Sequence, residues 1–249
     1  MKPSFKLFIL TFALCAMTAC GPKVLPVELI NGDGPLKIYQ TPNGEQLGVE
    51  LLGHGSVRFT FNDKNFYVDP YSNVADYSKY PAADIIFISH NHGDHYDVKA
   101  LDCIANENTP FVISPTVPQY NGNCTVVKAG DSYDFEGVHV DIVEAYNIAS
   151  TRPDGNPYHP KGEGIGFIFD FGGCRVYVAG DTEPTPEMMS LTDLDIAFIP
   201  KNVPYTMTDE QFVSTVNALM PKFLYPYHFF EPLSDTLADG IDPNITVVK

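Results

Sequence analysis

The sequence predicts an α/β fold with a two-sheet core and helices packed outside it, on three observations. Short strand-like runs separated by turn residues come first, as a meander. From residue 85 onward the runs become continuously apolar and are interleaved with helical segments, the pattern of strands buried on both faces. No internal repeat or low-complexity block interrupts this order. Composition agrees with a folded chain: 44% of residues are hydrophobic and 12% aromatic, enough apolar surface to bury a core. The 19 glycines and 21 prolines have no period, which excludes collagen and coiled coil. A formal charge of −16, without any run of Lys or Arg, argues against nucleic acid as a partner.

Lys2 and Lys6 precede an apolar run from Leu7 to Ala19, shorter than the roughly 18 to 20 residues of a permanent span. Residues 1–19 therefore read as a signal peptide. Met17-Thr18-Ala19-Cys20 resembles the lipobox of bacterial lipoproteins, which implies a lipid-modified Cys20 and an exported lipoprotein anchored in the membrane of the bacterial cell envelope. An ordinary signal with an incidental cysteine is the alternative. Residues 20–35, with Pro22, Pro26, Gly32, Gly34 and Pro35, read as a linker, and the domain is expected over 36–249. Cys103, Cys124 and Cys174 remain in it. Three thiols allow at most one internal disulfide, with Cys103–Cys124 conceivable and buried free thiols the alternative.

Strands are expected at Leu36 to Gln40, Gly48 to Leu52, Ser56 to Phe61 and Asn65 to Asp69, the last two joined by a turn at Asn62-Asp63-Lys64. Ile85 to Ser89 reads as a buried strand, and Asp97 to Asn106 as a helix. Further strands are expected at Phe111 to Ser114, Val138 to Glu144, Ile165 to Asp170, Arg175 to Ala179, Leu194 to Ile199 and Phe223 to Tyr227. Thr208, with Gln211 three residues on, marks the start of a helix between the last two.

Three of the seven histidines fall within His90-Asn91-His92-Gly93-Asp94-His95, directly after a buried strand. Neutral imidazoles and carboxylates are good donors for zinc and related divalent ions, and strand ends in layered α/β folds are where ligands bind. The same position recurs: Arg175 to Ala179 runs into Gly180-Asp181-Thr182, Phe223 to Tyr227 into His228, and Val138 to Glu144 into Ala145-Tyr146-Asn147, with His159 beyond. Any one of these taken alone is an ordinary turn or surface residue; together they point to a metal site.

These residues resemble the metallo-β-lactamase-fold hydrolases, whose HxHxDH signature matches His90, His92, Asp94 and His95, whose later Asp matches Asp181, and whose final His matches His228. Gly53-His54-Gly55-Ser56, Val68-Asp69-Pro70, His159-Pro160-Lys161-Gly162 and Pro204-Tyr205-Thr206-Met207 resemble an uncharacterised branch of that family. The resemblance implies an αββα four-layer sandwich over 36–249 and two divalent metal ions, Zn(II) first, with Mn(II) or Fe(II) as alternatives. His90 and His92 would hold one ion, Asp94, His95 and His228 the other, with Asp181 bridging. The histidine most members carry where this chain has Asn147 is absent, so His159, Asn147 or water would complete the first ion. His54 reads instead as part of a tight hairpin.

The implied activity is that of a metal-dependent hydrolase whose metal-bound hydroxide attacks a phosphodiester or a lactone-like ester. Asp94 would orient the nucleophile or carry its proton, and Tyr205, Lys201 and His159 are candidates for holding an anionic group. Partners would then be a small-molecule or lipid substrate and the membrane that holds Cys20. An exported β-lactamase and a non-catalytic metal-binding protein are the alternatives. No GxSxG elbow offers a protein nucleophile.

Overall fold

The computed structural model describes residues 24–229 and 235–248. Two mixed sheets lie at its centre. The first is built from β1 (Glu28–Asn31), β2 (Leu36–Gln40), β3 (Gln46–Gly53), β4 (Ser56–Phe61), β5 (Lys64–Val68), β6 (Ile85–Ile88), β7 (Phe111–Ile113) and β8 (Cys124–Val126), in that spatial order. The second holds β9 (Ser132–Phe135), β10 (Val138–Ala145), β11 (Gly164–Phe171), β12 (Cys174–Val178), β13 (Ile196–Pro200), β14 (Phe223–Tyr227) and β15 (Thr246–Val247), again in chain order. Each sheet begins as an antiparallel meander and turns parallel, at β5–β6 in one and at β12–β13 in the other. Parallel pairing needs crossovers, and these bring in α1 (Val98–Ile104), α2 (Pro186–Met189) and α3 (Asp209–Leu219); a further short helix is α4 (Asp235–Ala238).

The continuous apolar runs are explained by layers on both sides. In β6, Ile85 and Phe87 enter the core between the sheets, while Ile86 and Ile88 pack with Ala100, Leu101 and Ile104 of α1. In β13, Ile196 and Phe198 face the inter-sheet core, and Ala197 and Ile199 meet Phe212, Val216 and Leu219 of α3. The result is an αββα sandwich. Phe59, Phe87, Phe167, Phe169, Phe171 and Phe198 fill its centre, and truncating one such ring to Ala costs about 3–5 kcal/mol. Thr208 caps α3 and exchanges side-chain bonds with Gln211, as expected. Asn62 and Asp63 take positive φ in the hairpin between β4 and β5.

The expected linker at 20–35 is shorter than its composition suggests. Glu28 and Leu29 of β1 pair with Gln40 and Tyr39, Val27 is buried in the inter-sheet core, and the Leu25 N–H donates to the Pro42 carbonyl. Gly32 and Gly34 belong to a hairpin turn rather than a flexible tether, with Gly34 at φ +70°. The signal peptide and Cys20 lie outside the described residues. Cys103, Cys124 and Cys174 are all free thiols, of which Cys174 is buried.

Candidate metal centre

Strand ends and one hairpin tip deliver the side chains. The chain leaves β6 through Ser89 into a tight turn in which the His92 carbonyl accepts from the N–H groups of His95 and Tyr96, so His90, His92 and His95 converge. After β12, Gly180 sits at φ +69°, and a Cβ there would lie 2.7 Å from the Ile165 carbonyl oxygen; only glycine lets the chain turn and present Asp181. β14 ends in His228, whose N–H donates to the His54 carbonyl at 2.8 Å. That bond docks the β3–β4 hairpin tip on the second sheet. Gly55 in the same tip lies against the His95 ring, where a Cβ would come within 2.8 Å.

Two groups result: His90, His92, His159 and Asp181, and His54, Asp94, His95 and His228. In the first, His92 Nδ1 lies 3.0 Å from His90 Nε2 and 3.2 Å from His159 Nε2. In the second, His95 Nε2 and His228 Nε2 are 3.2 Å apart. Asp181 stands between them. Its Oδ2 is 3.3 Å from His159 Nε2 and 3.9 Å from His90 Nε2, and its Oδ1 is 3.0 Å from His228 Nε2 and 3.4 Å from His95 Nε2.

These residues fit a dinuclear centre. Three imidazole nitrogens around one point cannot all be satisfied by sharing protons, and Asp181 Oδ1 is buried without a well-directed hydrogen bond. Divalent cations would use every one of these lone pairs, and Asp181 has an oxygen for each group.

Burial and neighbouring charges shift these groups in both directions. Burial, with His95 close by, pushes His90 well below the usual imidazole range, and burial with His159 nearby lowers His92 to about 4, so both offer neutral donors. Burial alone would depress His95, but Asp181 and Asp69 more than offset it and hold the ring well above its ordinary value. Burial would raise Asp181, yet His228 and His95 keep it ionised. Burial would likewise raise Asp94, but the His228 ring 3.6 Å away and the His54 contact at 2.9 Å hold it far below the usual carboxylate range.

An outer layer holds the ligand rings. Asp69 Oδ2 lies 2.8 Å from His95 Nδ1, and Asp69 Oδ1 accepts the Ser89 N–H at 2.7 Å. Asn147 Oδ1 accepts the backbone N–H of His159 and sits 2.8 Å from its Nδ1, while Asn147 Nδ2 donates to the Tyr205 carbonyl. Asn147 therefore orients His159, whose ring joins His90, His92 and Asp181. Glu183 accepts the N–H groups of Ile148, Ala149 and Ser150 together with the Ser150 hydroxyl, which pins the start of the loop that carries His159.

All seven residues expected to hold metal, His90, His92, Asp94, His95, His159, Asp181 and His228, come together here. His54 sits in the expected hairpin, at φ +47°, and its ring also belongs to the site: it packs tilted against His228 with centroids 3.9 Å apart and places Nε2 2.9 Å from Asp94 Oδ2. Tyr205 lines the adjoining cleft of about 760 Å³ and packs edge-on against Tyr158. Lys201 pairs with Asp209 and Lys161 with Glu187. Asp69 and His54 lay within quoted motifs without an assigned role at the site; Glu183 and Arg152 carried no sequence signal, since their partners are distant in the chain or are backbone groups.

The sequence matches the model of the Beta-lactamase superfamily domain over residues 48–228, a stretch that contains every residue of the centre. A UPF0173 metal-dependent hydrolase of Thermus thermophilus is 29% identical over 195 residues, covering 74% of this chain and 85% of that protein. The crystal structure of a protein designated a metal-dependent hydrolase, from Parabacteroides distasonis, is similar at a TM-score of 0.76 and 38% identity, covering 85% of this chain and 96% of that one. A metallo hydrolase of Ignicoccus hospitalis, 19% identical, has the same fold at a TM-score of 0.62 over 80% of this chain and 92% of that one. The chain belongs to the β-lactamase superfamily domain family, and its architecture is the metallo-β-lactamase fold.

Proposed function

We infer that this metal-dependent hydrolase opens a phosphodiester or a lactone-like ester with water activated at a dinuclear centre, with zinc as the simplest occupant. The observation that carries the reading is Asp181, a buried carboxylate whose two oxygens face two separate histidine groups. When bound, two divalent ions lower the pKa of water toward neutrality and polarise the substrate oxygen.

The chain's own residues supply the rest. Asp94 is one-third exposed to the cleft and kept ionised, with Oδ2 3.6 Å from His228 Nε2; it is placed to orient the attacking water. His54 Nε2 lies 2.9 Å from that same oxygen. Tyr158 and Tyr205, packed edge-on against each other, wall the cleft. The apolar run before Cys20 supports a lipid anchor, which would bring this cleft near lipid substrates at the cell envelope.

Elemental analysis of the purified protein, run beside a panel of phosphodiester, lactone and β-lactam substrates, tests the reading. Two ions per chain and phosphodiester or lactone turnover that disappears on chelation are expected. Fewer ions and no turnover after reconstitution would leave a metal-binding protein, and turnover of the β-lactam alone would move the assignment to a lactamase.

A further inference from the structure

We propose that Arg152 and the outer ring edge of His92 form an anion clamp at the mouth of the metal centre, which selects a substrate carrying a phosphoryl oxygen beside the scissile bond. The inference rests on the hydrolase reading and narrows it toward phosphodiesters.

Arg152 belongs to the loop that carries His159, and its backbone is fixed. Its N–H donates to the Asn156 carbonyl at 2.7 Å, its carbonyl accepts from Gly155 at 2.9 Å, and Thr151 and Pro157 form a β-bridge. Glu183 holds Ile148, Ala149 and Ser150, just before this turn. The guanidinium is thus aimed by a built loop. Its Nη2 donates to the Tyr158 carbonyl at 3.0 Å, the group lies 5.8 Å from the centre of the Tyr158 ring, and it makes no ion pair among the described residues.

His92 sets the chemistry of the remaining contact. Its Nδ1 faces His90 and His159, so Nδ1 is the nitrogen that would meet a metal. An imidazole that gives Nδ1 to a cation carries its proton on Nε2. His92 Nε2 lies 3.5 Å from Arg152 Nη2. With metal bound, two N–H donors therefore face the same space, and neither can serve the other. An oxygen with two lone pairs, seated about 2.9 Å from each nitrogen, satisfies both, and an anionic oxygen does so most strongly.

Location and charge agree. His92, Arg152 and Tyr158 line both the cleft of about 760 Å³ over the centre and a second cavity of about 630 Å³ beside it. An oxyanion held there is adjacent to a ring of the centre itself. The cleft is also lined by Asp94, Asp97 and Asp181 in a chain of net charge −16, so an anionic substrate needs a fixed cation at its entrance; Lys99 is a second cation of the wall, and Arg152 is the one that borders His92. A planar guanidinium fork suits phosphoryl oxygens better than a lysine would. A neutral lactone would leave the two donors without a charged acceptor.

The test is phosphate affinity of the metal-loaded full chain, measured by calorimetry with inorganic phosphate for wild type, Arg152→Gln and Arg152→Lys. Metal content and melting temperature are recorded for each. Arg152→Gln should weaken phosphate binding at least tenfold at unchanged metal stoichiometry, and Arg152→Lys should recover part of the loss. Affinity within twofold of wild type in Arg152→Gln would overturn the clamp and leave phosphate held by the metals alone. The two readings fail separately: a wild type that binds phosphate through Arg152 yet cleaves nothing in the panel overturns the hydrolase, whereas one that turns over substrate with Arg152-independent phosphate binding overturns the clamp.

Discussion

His95 and His159 are buried imidazoles of one centre, yet one sits in the tight turn after a core strand and the other hangs from a long loop. His95 has Nδ1 on a carboxylate, Asp69, which is itself held by the backbone of Ser89. His159 has Nδ1 on a neutral amide, Asn147, and its loop is held by Glu183. An outer carboxylate orients a ring and raises its basicity, whereas an amide only orients it. The difference teaches that the His54–Asp94–His95–His228 group is built into the sheets, and that the His90–His92–His159–Asp181 group is completed by a folded loop.

Removing what the two groups share breaks the comparison altogether. Asp181→Ala should lose metal from both groups and with it all turnover, read by elemental analysis and activity on one purified, folded sample. Full occupancy in that variant would sink the bridging role. His159→Ala separates the groups: metal content should fall to about half, with the strand-held group still loaded. Unchanged stoichiometry would move His159 out of the ligand set and to the substrate mouth.

Asp69→Asn sharpens the contrast from the other side. The His95 ring keeps an oriented partner and loses the charge, so metal affinity should drop about 10- to 100-fold, the range for an outer partner of a ligand histidine. Competition with a chelator measures it. If the drop is no larger than that produced by Asn147→Ala, the carboxylate and the amide are equivalent and the distinction fails.

The strand-held half was legible in the sequence, and the loop-held half only in part. HxHxDH, Gly180-Asp181 and His228 stand next to apolar runs whose burial on both faces makes them visible. His159 could be suspected only as a displaced histidine, because the Asn147 that aims it lies across a loop without period. Glu183 and Arg152 act through backbone carbonyls and N–H groups or through residues far off in the chain, and no spacing records that. Similarly, β1, β8 and β9 escaped prediction: they are short, largely exposed strands whose place is set by the neighbour they pair with and not by alternation.

The smallest and most specific effect is expected at Glu183. Glu183→Gln replaces an acceptor-only carboxylate with an amide whose NH₂ faces N–H donors, at a cost of about 1–3 kcal/mol for the donors left unpaired. The strands should be untouched, so hydrogen exchange should quicken at Ile148, Ala149 and Ser150 while β6 and β14 keep their protection. The wild type should show the same opening under acid. Burial would raise the Glu183 carboxyl, but bonds from the Ser150 hydroxyl and the three N–H groups hold it below its ordinary 4.5. A depressed carboxylate stabilises fully above its unfolded value and loses that contribution as pH falls through the folded one. Loop protection should therefore be flat above about pH 4.5 and fall below it in the wild type, and be insensitive to pH over that window in Glu183→Gln. Parallel acid loss in both proteins would show that the loop is held by something other than this carboxylate, and the contrast between the two halves of the centre would then rest on Asp69 and Asn147 alone.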